Sequence, residues 1–100
     1  MHVELRVEAR NDLDEASAFY DAQRDGLGDY FLDCVFSDLQ ALESGAGIHE
    51  IAYGLHRKLS DRFPFAIYYR VHLETVYIYA VLDCRQNPKK IDDRLEDEIA

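Results

Sequence analysis

Two helical stripes, parted only by a glycine-containing breaker, constrain this chain more than any other feature. Leu13, Ala16 and Tyr20 fall on one face of a helix, and Leu27, Phe31, Cys34, Val35, Leu39 and Leu42 recur at three- and four-residue spacing through to Glu43. The breaker is Asp25-Gly26-Leu27-Gly28: Gly26 can adopt the left-handed conformation that ends a helix, and Gly28 or Asp29 can start the next. So short a link forces the two helices into an antiparallel hairpin. Asp12 with Glu15 fits a capping box, and the carboxylates at 12, 14 and 15 suit the positive end of a helix dipole, which places the first helix start at Asp12. Ser44-Gly45-Ala46-Gly47 ends the second helix.

A hairpin of this kind must bury its apolar stripe, and the rest of the chain offers strands to do it. Residues 2–8 alternate Val3, Leu5 and Val7 with polar neighbours, as in a half-buried strand. Residues 53–59 alternate Tyr53, Leu55, Arg57 and Leu59 with Gly54, His56 and Lys58. In residues 63–72, Phe65, Ile67, Tyr69 and Val71 share one face, and Ala66, Tyr68, Arg70 and His72 the other. A tight turn at Leu73-Glu74 leads into residues 75–84, where Val76, Ile78, Ala80, Leu82 and Cys84 oppose Tyr77, Tyr79, Val81 and Asp83. The order β-α-α-β-β-β predicts an α+β domain, a helical hairpin packed on one face of a small antiparallel sheet. The opposite face, with Tyr68, Arg70, His72, Tyr77 and Tyr79, reads as too polar to need a cover. Residues 1–90 make one domain, and 91–100 read as an acidic C-terminal tail; residues 89–100 have two readings, one short helix or a frayed end, the acidic end being poor core material.

Charge divides the chain more sharply than its net value of −9 suggests. Residues 1–56 carry 3 basic and 12 acidic side chains, residues 57–90 carry 7 and 3, and residues 91–100 carry 1 and 5. An acidic protein can therefore present a cationic sheet half, a local field that the net charge conceals. The same polarity also fits acidic, solvated helix faces. An apolar share of 48% is that of a folded globule, and no apolar run approaches the ~20 residues of a membrane span. There is no basic-then-apolar leader at Met1-His2-Val3-Glu4, and Cys34 and Cys84 are expected as free thiols, so a reducing cytoplasm is the expected compartment.

Three stretches, AFYDAQRDGLGDYFLD (18–33), FPFAIYYRV (63–71) and VLDCRQNP (81–88), in this order and at this spacing, resemble the RelE/ParE toxin superfamily on its ParE-like side. The resemblance spans nearly the whole chain. It implies the toxin of a type II toxin–antitoxin pair of the plasmid-stabilisation kind, neutralised by a cognate antitoxin protein. ParE-like members act by binding DNA gyrase; RelE-like members are ribosome-dependent endoribonucleases that cut mRNA. The family's usual ending has a histidine after the Val-Leu pair and two adjacent arginines before Asp/Asn-Pro. Here those positions hold Asp83 and Arg85-Gln86, and Ile91 stands where an aromatic is common. A degenerate, non-toxic member that keeps only antitoxin binding or self-association is a third reading.

For a binding toxin, the candidate target-binding residues are Arg57, Lys58, Arg62, Arg70 and Arg85, with Arg57, Arg70 and Arg85 expected to form a cationic patch. Tyr and Arg are the side chains that anchor interfaces, although the same face could simply be the solvated side of a sheet. For a ribonuclease, a general base and acid are needed beside those cations. His56 and His72 are the candidate bases and Tyr68 the acid, while a strand histidine is more commonly a surface residue. The cysteines and histidines have no metal-ligand spacing, and Gly26-Leu27-Gly28 lacks the flanking strand and Lys-Ser/Thr of a phosphate loop, so no metal or cofactor is expected. The hairpin could also pair with a second copy, giving a homodimer.

Overall fold

In the computed structural model, which describes residues 1–99, strand β1 (His2–Leu5) gives way at once to helix α1 (Val7–Gln23). Helix α2 (Leu27–Gly45) follows, then strands β2 (Ile51–Ala52), β3 (Leu55–Leu59), β4 (Phe65–His72) and β5 (Thr75–Asp83), and helix α3 (Pro88–Ile99). The sheet order is β1-β5-β4-β3-β2. β2 to β5 pair antiparallel in succession, whereas β1 joins β5 in parallel, so the sheet is mixed.

The helical hairpin forms as its breaker dictates. Gly26 has φ 87°, which an L side chain adopts only under strain. Gly28 is buried at the helix crossing, where an added Cβ would stand 2.4 Å from the Ser17 carbonyl oxygen; its N–H donates to Asp21 Oδ1 at 2.7 Å. Ala9, Leu13 and Tyr20 of α1 and Phe31, Val35, Leu39 and Leu42 of α2 close on Phe65, Ile67, Tyr69, Val76, Ile78 and Val81 of the sheet. Burying a large apolar side chain of this kind contributes about 1.5–3 kcal/mol.

Three local expectations are corrected. Helix α1 begins at Val7 rather than Asp12, because β1 has partners on β5 only as far as Leu5 opposite Ile78, and the Arg6 N–H then closes on the Ile78 carbonyl. Tyr53 and Gly54 belong to no strand. Both have positive φ (58° and 76°) and form the turn between β2 and β3. In β5 the register slips, Tyr69 facing Ile78 and Tyr68 facing Ala80, so Tyr79 is an extra residue. That bulge reverses the alternation: Val81 points to the hairpin, and Ala80 and Leu82 point away from it.

The second sheet face is covered as well, contrary to its polar reading. Leu55, Ala66, Tyr68, Tyr79, Ala80 and Leu82 form a second core with Leu95 of α3, with Ile91 and Cys84 packed against it. Residues 88–99, acidic though they are, supply this cover through Ile91 and Leu95, spaced four apart on one side of α3. Two polar clamps hold the helix. Arg94 donates to both Asp12 oxygens at 2.7 and 2.8 Å and to Glu98 at 2.8 Å, and the Tyr53 hydroxyl donates to Asp92. Asp12 thus serves not as a cap but as an anchor, and its Oδ2 also accepts the Val81 N–H at 3.0 Å, beyond the point where β1 has left the edge of β5. No helix of the described residues is long and apolar enough to cross a membrane.

Candidate functional site

The α3 side of the sheet has a dry end under Leu95 and an open end toward the β4–β5 hairpin. At the open end Arg70, opposite Tyr77 in the β4–β5 register, lies with its guanidinium carbon 5.5 Å from the centre of the Tyr79 ring. Arg6, at the junction of β1 and α1, lies 4.5 Å from the same centre. Since β5 runs between β1 and β4, the two arginines reach the ring from opposite flanking strands. Alternation along β5 puts this ring on the α3 face with Tyr77 and Tyr68, and the bulge brings Ala80 onto the same face directly after it. Each cation–ring contact at an exposed position is worth about 0.5–1 kcal/mol. Among the described residues neither guanidinium has a carboxylate within ion-pair distance, although Glu4, opposite Tyr77, lies on the same face. Arg70 also passes beside Gly54 of the β2–β3 turn.

The five expected cations are not gathered into one patch. Arg57 shares the α3 face with Arg70, being opposite Tyr68, but it is engaged: Nε donates to the Tyr68 hydroxyl at 3.2 Å, Nη1 to Glu50 at 3.1 Å and Nη2 to Cys84 Sγ at 3.6 Å. Lys58 is opposite Ile67 and therefore on the hairpin side. Arg62 sits in the β3–β4 loop, where Nη1 reaches the Tyr30 hydroxyl at 3.4 Å. Arg85 folds back on Asp83 with side-chain contacts of 2.9 and 3.1 Å, so its charge is locally neutralised and the Asp83 carboxyl is held below the usual carboxylate range.

The three candidates for proton transfer are likewise apart. His56 is on the hairpin side, its ring stacked on Tyr69 with centroids 5.0 Å apart and its Nδ1–H donating to the His49 carbonyl at 2.8 Å. Tyr68 is buried on the opposite face and occupied by Arg57. His72 is exposed at the end of β4, opposite Thr75. Arg6 is the site residue that sequence reasoning missed: its backbone is still extended, and alternation from Glu4, opposite Tyr77, carries it over Tyr79, but only the parallel pairing of β1 with β5 reveals this.

A groove of about 420 Å3 runs between α1, the end of β5 and α3, lined by Asp12, Glu15, Phe19, Asp83, Lys90 and Arg94 among others. Its charges are mixed: Asp12 and Arg94 pair across it, and Asp83 is held by Arg85. Burial pushes the Asp12 carboxyl up, while the Arg94 guanidinium and the Val81 amide pull it back. The groove is thus a seam holding α3 to α1.

No family model matches the chain, and no curated protein matches it in sequence. Among solved structures, one of the chromosomal ParDE TA system from P. aeruginosa is similar, with a TM-score of 0.71 and 20% identity, over 81% of this chain and 92% of that one. The likeness shows the fold: the hairpin on its mixed sheet is a ParE-like fold.

Proposed function

We propose that this chain is the toxin of a type II toxin–antitoxin pair, which works in the cytoplasm by binding a protein target and is neutralised by a cognate antitoxin. The observation that carries the proposal is the fold, shared over nearly the full length of a chain from a ParDE TA system. The resemblance in sequence to ParE-like toxins makes DNA gyrase the expected target. Arg6 and Arg70, held on the Tyr79 ring without carboxylate partners among the described residues, are the docking residues this reading favours, with Arg57 beside them. Arginine and tyrosine at the centre of an open face are suited to anchor an acidic protein surface.

The separation of His56, Tyr68 and His72 favours binding over RNA cleavage, since general acid and base must reach one substrate together. Two assays on the purified chain decide between the readings: supercoiling by gyrase, and translation with message integrity in a cell-free extract. Loss of supercoiling with translation intact is the expected result. Cut messages with supercoiling intact would replace it with the ribonuclease reading, and no effect in either would leave a non-toxic member of the fold.

A further inference from the structure

We propose that residues 46–50 form a proton-operated clasp on Arg57, closed while His49 is neutral and released when His49 takes up a proton. The segment joins α2 to β2 and is tied to a core side chain at two points. Gly47 N–H donates to the Tyr69 hydroxyl at 2.9 Å, and His49 Nδ1 touches the same hydroxyl. Tyr69 is fully buried, so its phenolic hydrogen needs an acceptor, and His49 Nδ1 is the group in reach. This fixes the neutral tautomer, with the ring hydrogen of His49 on Nε2. The next residue, Glu50, holds Arg57 twice: its carbonyl accepts the Arg57 N–H at 2.9 Å and its Oε1 accepts Nη1 at 3.1 Å. The proton site and the arginine are therefore adjacent links of one short segment.

Protonation puts a hydrogen on Nδ1, where it meets the hydrogen of Tyr69. The hydroxyl must then accept from both Gly47 and His49 and leave its own hydrogen unpaired inside the core. The charged and titratable groups facing His49 oppose the cation too: Lys58 and His56 come from β3, Tyr69 from β4 is neutral, and Glu50 is taken by Arg57. Burial first, then Lys58 and His56, hold the imidazole below its ordinary value. A histidine lowered in the closed form stabilises closure above its ordinary pKa of about 6.5, and that stabilisation is lost as pH falls below it. Release frees Arg57 from Glu50 and adds a cation to the face already charged by Arg6 and Arg70. The clasp itself does not depend on the toxin reading.

The test is amide hydrogen exchange on the full chain, followed by NMR at about pH 7.5 and about pH 5 and expressed as protection factors, so that intrinsic exchange is removed. Protection at Gly47 and Arg57 should fall together by up to about 30-fold, the limit set by an open-state pKa of about 6.5. His49→Asn, whose Oδ1 stands where Nδ1 was, should keep equal protection at both pH values, while His56→Asn should lose it as the wild type does. The imidazole nitrogen shifts of the wild type should show Nδ1 unprotonated at the higher pH, a measurement that needs no variant. Unchanged protection in the wild type, a protonated Nδ1 at the higher pH, or transfer of the pH dependence from His49 to His56 would each overturn the clasp.

Discussion

Asp12 illustrates how one side chain can carry a different duty from the one its neighbours suggest. In sequence it begins a capping pattern; in the fold it lies well inside α1 and holds Arg94 and the Val81 amide. Nothing local announces this, since both partners are distant in sequence. Replacing Arg94 by Met strands a half-buried carboxylate and should cost roughly 1–3 kcal/mol in urea denaturation, with Asp12→Asn in the same chain restoring part of it. An unchanged midpoint for Arg94→Met would mean that the pair is idle. Gly26 was legible as the breaker, whereas Gly28, read as part of it or as a helix start, lies inside α2 and serves the close approach of the two helices. Gly28→Ala drives a Cβ against the Ser17 carbonyl and should destabilise by about 1–3 kcal/mol, measured the same way.

Among the elements, the hairpin and strands β3 to β5 were legible because apolar spacing and turn residues agree there. Two things were not. The bulge at Tyr79 inverts the alternation of β5 from Ala80 onward, and no residue type marks it, yet it turns Ala80 and Leu82 into the core beneath α3 and Val81 toward the hairpin. The covering role of α3 was obscured by its charge, although a short helix was one reading of these residues and Ile91 and Leu95 stand at helical spacing; the tyrosines beneath it bury their rings while their polar ends find partners such as Arg57. Leu95, 1% exposed, is the keystone of this cover. Leu95→Ala should cost about 2–5 kcal/mol in denaturant unfolding and should lower amide protection in α3 more than in α1. Equal loss in both helices would show that α3 is not a separable cover.

At the scale of the molecule, the cations of the strand half are divided between the two faces of the sheet and the loops at its end. Lys58, Arg62 and Arg85 lie away from the Arg6–Tyr79–Arg70 site, so the charge count located a half of the protein but not a patch. Binding that uses the two arginines should weaken as salt rises, because exposed charge pairs are screened over about 10 Å at 0.1 M ionic strength. Affinity for the target measured across a salt series checks this, and a flat profile would mean that the arginines are spectators. The most direct test of the account is viable count after induced expression of the free chain, compared with an Arg6→Glu/Arg70→Glu variant shown to fold by amide protection. The account predicts that the wild type arrests growth and the variant does not. Equal arrest by both, or none by the wild type, would contradict it.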